Sequence, residues 1–383
     1  MKKTSLALAL LGTFAGATSA QTVTLYGRAS VTAVAESGGD RSLLGDDTVY
    51  RLRDGGEATG KGGSRWGLRV KEDLGGGLSA NAVLESGFNL DDGSSRQSSR
   101  LFGRQAYVGL DSKSLGEIRL GRNLTATRGV LNEIDPSNNG ELKLYASRAI
   151  SAGAGFTSPG TGSLVLFTDF GGRIDNSVTY LSPKFGGLQV IAQVGAGEGQ
   201  TPFGVTAGNP PGAARYQSLS LAYGAGPLKV GLSYEAYDGF DETYNKTLTF
   251  GGNYDLGFAK LHAGIQRTSD AGQQGALGTT GTGAFGPSAN FNDRNAYLVG
   301  AVVPFGKAEL KVSYASTDFE RDVGNYNGTS TNELDLTKLG ASLHYNLSKR
   351  TSVFTGFNLY GGDLDDHLVV KRELMLFGMA HAF

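Results

Sequence analysis

Basic side chains recur at alternating positions in one extended segment near the start of the sequence. Arg65, Arg69 and Lys71 alternate there with large apolar residues. Successive side chains of an extended chain point to opposite faces, so this segment presents a row of cations on one side. The arginine guanidinium stays charged at any accessible pH and binds anions through a planar fork. The chemistry that these residues predict is electrostatic recognition of anions.

Residues for metal, thiol or covalent chemistry are scarce. The sequence contains no cysteine, and its four histidines include no pair at the i, i+4 spacing of a metal site. Its 35 basic and 36 acidic residues nearly cancel, so no global field favours nucleic acid. We therefore expect no catalytic residues, no metal, no cofactor and no nucleic-acid partner. Any functional charge must be local.

Residues 1–20 have the pattern of a secretory signal peptide. Lys2 and Lys3 precede an apolar stretch from Leu6 to Ala15, and small residues follow up to Ala20. The apolar stretch is about half of the ~20 residues that a helix needs to span a bilayer. We predict an exported protein whose mature chain is residues 21–383.

The mature chain shows the alternation of β-strands and no helical stripe. Apolar and polar residues alternate in about sixteen segments, as in Leu78 to Phe88, Leu228 to Tyr234 and Leu339 to Tyr345. No window from Gln21 onward has an apolar period of 3.6 over a helical length. The sequence therefore predicts an all-β fold in one domain.

The connections between these segments alternate between short and long. The short ones, rich in Gly, Pro, Asn and Asp, are residues 73–77, 111–116, 182–187, 224–227, 255–257, 304–307 and 346–350. The long ones are residues 36–63, 91–99, 123–172, 195–213, 237–244, 268–292, 317–332 and 361–371. Short turns at one end and long loops at the other are typical of an outer-membrane β-barrel, which must close because lipid cannot pair backbone groups.

A soluble β-sandwich or β-helix would give the same period of two. The length of the strands, the regular alternation of connections and the apolar residues at alternate positions near the end, Met375, Phe377, Met379 and the terminal Phe383, favour the membrane barrel instead.

A series of short segments forms a specific pattern in this order: residues 23–27, 64–69, 72–78, 84–88, 102–110, 120–122, 176–178, 182–187, 347–351 and Phe383. In these segments the sequence resembles the general trimeric porins of Gram-negative bacteria, particularly those of beta-proteobacteria. The resemblance implies a 16-stranded antiparallel transmembrane β-barrel that forms a homotrimer in the outer membrane, beside lipid and lipopolysaccharide. It also implies that residues 123–172 form a third loop folded into the lumen as a constriction.

The resemblance implies that Arg65, Arg104 and Arg173 line this constriction. Alternation places Glu85 inward as well, where we expect it to tether this cluster. Alternation along the strands adds Arg28, Arg69 and Lys71 as lumen-facing cations, but it leaves the direction of Arg104 ambiguous. The constriction loop carries the acids Glu133, Asp135 and Asp169.

We expect a water-filled channel for passive diffusion of small hydrophilic solutes and ions, with a modest anion preference. One alternative is a channel selective for sugars or organic acids. Another is a barrel enzyme or adhesin.

Overall fold

The computed structural model describes most of residues 21–383. The described residues are 21–37, 48–55, 63–97, 100–138, 140, 142, 148–150, 162–164, 166–167, 172–196, 200–201, 204–205, 215–238, 244–269, 290–322, 333–362 and 373–383. The predicted signal peptide, residues 1–20, and Asp169 lie outside these ranges.

Nearly all of the regular structure is extended. The strands are β1 (Thr22–Ser37), β2 (Val49–Asp54), β3 (Arg65–Gly75), β4 (Leu78–Gly87), β5 (Gln105–Ser112), β6 (Gly116–Leu124), β7 (Arg148–Ile150), β8 (Gly162–Leu164), β9 (Arg173–Leu181), β10 (Leu188–Gly195), β11 (Gln200–Thr201), β12 (Gly204–Val205), β13 (Arg215–Ala225), β14 (Leu228–Asp238), β15 (Tyr244–Asp255), β16 (Lys260–Ser269), β17 (Asn290–Phe305), β18 (Ala308–Asp322), β19 (Glu333–Asn346), β20 (Thr351–Gly361) and β21 (Glu373–Ala382). One α-helix, α1 (Ala126–Ile134), is described as well, and no described helix has the length and hydropathy to cross a bilayer.

Seventeen of the strands form one antiparallel sheet that closes on itself, because β1 pairs with β3 through its first half and with β21 through its second. Strand β2 also pairs with β1, over Val31 to Glu36, immediately beyond the stretch paired with β3. β2 and β3 are therefore two parts of one wall strand, and the wall has sixteen strands, as predicted. The hairpins β7–β8 and β11–β12 stand apart from this sheet.

The two faces of the wall have the polarity that a membrane requires. Side chains on the outer face, such as Leu25, Leu219 and Phe250, are large, apolar and exposed. Their neighbours in sequence, such as Ser220 and Thr249, are polar and fully buried on the inner face. Apolar groups thus face lipid and polar groups face the lumen.

The short connections are tight turns at one rim, as the sequence predicted. Gly75, Gly76 and Gly77 all have positive φ between β3 and β4, a conformation that L side chains rarely adopt. At this rim the terminal residue closes the barrel, since the backbones of Phe383 and Gly27 exchange two hydrogen bonds of 3.0 and 3.1 Å. The ring of Phe383 covers Gly27, where any Cβ would collide with it.

Several elements lie in segments that were expected to be loop, namely β2, α1 and the hairpins β7–β8 and β11–β12. Residues 36–63 were expected to be loop throughout, but β2 lies within them and extends the wall beside β1. Helix α1 lies in the predicted third loop, where the sequence predicted no helix. Its buried residues Ala126, Val130, Leu131 and Ile134 form a helical face, but nine residues are too few to give a recognisable helical period.

Candidate pore constriction

Three strands and the residue before a fourth bring the predicted cluster to one place on the inner wall. Arg65 begins β3, Glu85 lies near the end of β4, and Arg173 begins β9. Arg104 lies one residue before β5, whose first residue, Gln105, pairs with Glu85. The antiparallel registers place all four residues at the same height, near the end of the barrel that carries the long loops.

Glu85 is the centre of this cluster. Its side chain accepts hydrogen bonds from Nε of Arg104 at 2.5 Å and from the hydroxyl of Tyr26 at 2.9 Å, and Nε of Arg65 lies 3.7 Å away. Gly67 lies between Tyr26 and Glu85 and leaves room for the phenol, because a Cβ there would lie 2.9 Å from the ring. Glu85 is only 5% exposed. It is the predicted tether.

Arg173 and Arg28 complete the positive cluster. Nε of Arg173 donates to the carbonyl oxygen of Arg104 at 2.8 Å, so the cation is fixed without being neutralised by that contact. Arg28 pairs directly with Arg65 between β1 and β3. Glu85 compensates one of these four positive charges, which leaves the cluster electropositive.

The structure resolves the direction of Arg104, which alternation left open. Val108 and Leu110 are exposed on the outer face of β5, so alternation extended backwards would send Arg104 outward as well. Arg104 precedes the strand, however, in an irregular segment that follows the buried Gly103. It therefore turns inward to Glu85.

A second acid, Asp175, was not singled out from the sequence. It accepts a hydrogen bond from Nη1 of Arg100 at 2.6 Å, and Nη1 of Arg122 pairs with its other oxygen. Nε of Arg122 also donates to the carbonyl of Gly103 at 2.8 Å. Asp175 lies two residues from Arg173 on β9 and therefore points inward as well. This shared direction could have identified Asp175 from the sequence.

The remaining predicted cations lie lower on the same wall, towards the short turns. The Arg69 guanidinium lies 4.0 Å from the centroid of the Tyr26 ring. Lys71 is exposed and lies 3.8 Å from Asp111. Arg28, Arg65, Arg69 and Lys71 thus form a basic row from the cluster towards the short turns.

Helix α1 of the predicted third loop packs against the inner face of the wall on β10 and β13–β16. Thr125 caps its N-terminus by accepting a hydrogen bond from the backbone of Arg128. Val130 packs over Gly231, where a Cβ would lie 2.8 Å from Cγ2 of the valine, and Ile134 covers Gly264 in the same way at 2.5 Å. Glycine in the wall makes room for the helix.

Polar contacts fasten the described parts of this loop further around the wall. Thr127 and Ser233 hydroxyls lie 2.7 Å apart, and Asn253 donates to the carbonyl of Glu133 at 3.0 Å. Beyond the helix, the carbonyl oxygens of Leu142 and Leu166 accept hydrogen bonds from Lys338 at 2.8 Å and from Thr317 at 2.7 Å. The described loop residues therefore line the wall from β10 to β19.

The two described acids of the loop have partners on the loop or the wall beneath it. Glu133 lies 3.6 Å from Nζ of Lys229 and accepts a hydrogen bond from Asn253 at 2.8 Å. Asp135 is buried and accepts hydrogen bonds from the backbone and hydroxyl of Ser137 at 2.8 and 2.7 Å. These contacts anchor the loop.

Comparisons with known proteins agree with this geometry. The family model for Gram-negative porins matches residues 7–365. An outer membrane porin protein of Bordetella pertussis is 34% identical, over 92% of this chain and 93% of the relative. Outer membrane porin protein 32 of Delftia acidovorans is 32% identical, over 92% of this chain and 88% of the relative.

A solved structure has the same architecture. The anion-selective porin from Comamonas acidovorans superposes with a TM-score of 0.68 at 25% identity, over 95% of this chain and all of that one. The sixteen-stranded barrel, its polar inside and apolar outside, and matches that span nearly the whole sequence lead to one conclusion: the chain belongs to the Gram-negative porin family of outer-membrane channels.

Proposed function

We propose that this porin passes small hydrophilic solutes and ions by passive diffusion and that its constriction favours anions. The observation that carries the proposal is the cluster of Arg28, Arg65, Arg104 and Arg173 on the wall beside the carboxylate of Glu85. Fixed cations at a narrow point lower the energy of a passing anion and raise that of a cation. Water and salt screen this field over about 8–10 Å, so the preference is modest and weakens with ionic strength.

The third loop, residues 123–172, sets the size limit in this proposal. Its described residues cover the wall from β10 to β19, and the arginine cluster lies on the wall formed by β1 to β9. Solutes would pass between the loop and the arginines. Because Glu133 and Asp135 are engaged in anchoring, the loop opposes the arginines with little free negative charge in its described part.

The similarity to an anion-selective porin supports the same direction of selectivity. The test is to insert the purified protein into a planar bilayer under a potassium chloride gradient. We expect stepwise openings and a zero-current potential whose sign shows that chloride permeates more readily than potassium. Folded protein that gives no openings would refute the proposed channel function. A zero-current potential that shows preferred permeation of potassium would refute the anion preference.

We also propose that the channel is a homotrimer in the outer membrane, surrounded by lipid and lipopolysaccharide, and that residues 1–20 direct its export. An apolar groove of about 530 Å³ on the outer surface supports subunit contact. The small side chains of Ala33 and Ala35 form its floor, and larger ones form its sides, namely Tyr50, Leu52, Met375 and Phe377. Side chains of a second copy would fill this groove.

A further inference from the structure

Aromatic and guanidinium groups alternate across the inner wall below the arginine cluster. Arg69 lies over the ring of Tyr26 at 4.0 Å, and Arg119 lies over the ring of Tyr107 at 5.0 Å. Arg69 and Tyr107 share one height, since both pair with Val83 of β4 from opposite sides. The order around the wall is therefore Tyr26, Arg69, Tyr107, Arg119.

The two arginines differ in their charge partners. Arg119 forms a bidentate pair with Glu117, with N–O distances of 2.8 and 2.7 Å, so its charge is neutralised locally. Arg69 is exposed to the lumen, and no carboxylate of the described chain lies within ion-pair distance of it. An unneutralised, exposed guanidinium between two phenol rings can take an anion from solution.

The spacing of Arg69 and Tyr107 favours anions that carry a planar ring. Arg69 and Tyr107 are two strands apart, about 10 Å between backbones, and their side chains point into the same space. A carboxylate on the Arg69 fork would place an attached ring beside Tyr107, where stacked or edge-on aromatic contacts would stabilise it.

We propose that Tyr26, Arg69 and Tyr107 form a binding site for small planar organic anions, of the aromatic carboxylate class, on the periplasmic side of the constriction. Tyr26 fixes the guanidinium, Arg69 binds the carboxylate and Tyr107 contacts the ring. The site is four residues below Arg65 on β3, about 13 Å towards the short-turn rim. This inference rests on the proposed anion-passing channel and adds a class of solute to it.

The experiment compares two acids of equal charge and similar size, benzoate and cyclohexanecarboxylate, as blockers of chloride current in planar bilayers. We expect benzoate to reach half-maximal block at a concentration at least threefold lower. Arg69→Gln should weaken block by both acids, and Tyr107→Leu should remove only the difference between them. Tyr107→Phe keeps the aromatic ring and should retain the difference between the two acids.

The matched controls lie outside the row formed by Tyr26, Arg69, Tyr107 and Arg119. Lys113→Gln removes an exposed cation from a short turn, and Tyr223→Leu removes an outward-facing tyrosine. Neither should alter the preference for benzoate. Equal block by the two acids in the wild-type channel, or a preference that survives Tyr107→Leu, would overturn the inference.

Failure of the channel itself gives a different result. If folded protein shows no openings, the proposed function fails, and equilibrium dialysis of the detergent-solubilised protein against radiolabelled benzoate still tests the site. Wild-type retention that is lost in Arg69→Gln and reduced in Tyr107→Leu supports the inference. Wild-type retention no higher than that of the two variants contradicts it.

Discussion

Glu85 is the residue on which the arrangement of the cationic cluster depends. It lies on β4, and its partners come from β1, β3 and the segment before β5, so one carboxylate connects four consecutive wall segments. Hydrogen bonds to a charged, buried acceptor are stronger than those between neutral groups. Glu85 therefore fixes the positions of Arg65 and Arg104 and lowers the net charge of the cluster.

Glu85→Gln should increase the anion preference and decrease stability together. The amide keeps the shape but removes the negative charge of Glu85, so the zero-current potential should shift further in the direction that indicates chloride preference. Loss of the charged hydrogen bonds should lower the free energy of unfolding by about 2 kcal/mol. Urea unfolding in lipid, followed by the fluorescence of Trp66, the single tryptophan, measures the second effect.

Asp92→Asn is the control, because it removes an exposed acid from the loop after β4. A Glu85→Gln protein with unchanged selectivity would show that the carboxylate does not contribute to the field in the pore.

Alternation in the sequence was sufficient to place Arg65 and Glu85, because both lie inside regular strands. It failed for Arg104, since a residue before a strand has no fixed parity, and the resemblance to porins was needed. The contact between Arg173 and the carbonyl of Arg104 could not be foreseen, because it joins residues 69 positions apart across an irregular segment.

Helix α1 is the element that fixes the third loop. Its nine residues would be marginal as an isolated helix, so its stability comes from the wall beneath it. Gly231 and Gly264 have no side chain where Val130 and Ile134 approach the wall. The two segments are far apart in the sequence, so the only sign of this packing in the sequence is a few isolated glycines. The regular strands and tight turns were predictable from local patterns. The helix and the split between β2 and β3 depend on tertiary contacts and were not.

Gly264→Val should displace the helix or strain its packing. A Cβ at this position would lie 2.5 Å from Cγ2 of Ile134, closer than carbon atoms approach. We expect a loss of about 1–3 kcal/mol in the free energy of unfolding and an altered single-channel conductance. Gly224→Val, where the nearest atom is Cγ of Lys229 at 3.9 Å, should change neither.

Adding Ile134→Ala to Gly264→Val should restore conductance towards the wild-type value, because the smaller side chain relieves the overlap. Normal conductance of Gly264→Val alone would indicate that the helix does not limit the pore.

At the scale of the whole molecule, the barrel separates two surfaces with different tasks. The inner wall divides into an arginine side on β1–β9 and a loop-covered side on β10–β19. The outer wall is apolar throughout most of its height, and small side chains interrupt it at Ala33 and Ala35. Lipid contacts large apolar groups, whereas close packing of two protein surfaces is helped by small ones.

Ala33→Trp should therefore prevent subunit association. The indole would fill the groove between Leu52 and Phe377, which flank Ala33 in the sheet. Light scattering of the detergent-solubilised protein should give the mass of three chains for the wild type and one for the variant. Ala192→Trp, on another part of the wall, is the control. A variant that remains trimeric would place the interface elsewhere.

We propose that the arginine cluster sets the sign of ion selectivity. The zero-current potential in a potassium chloride gradient tests this for the wild type, for Arg65→Ala/Arg173→Ala, and for Lys349→Ala/Arg350→Ala, which removes two exposed charges from a short turn. We expect an anion-favouring potential that falls towards zero in the first variant and is unchanged in the second. A first variant with the wild-type potential would contradict it.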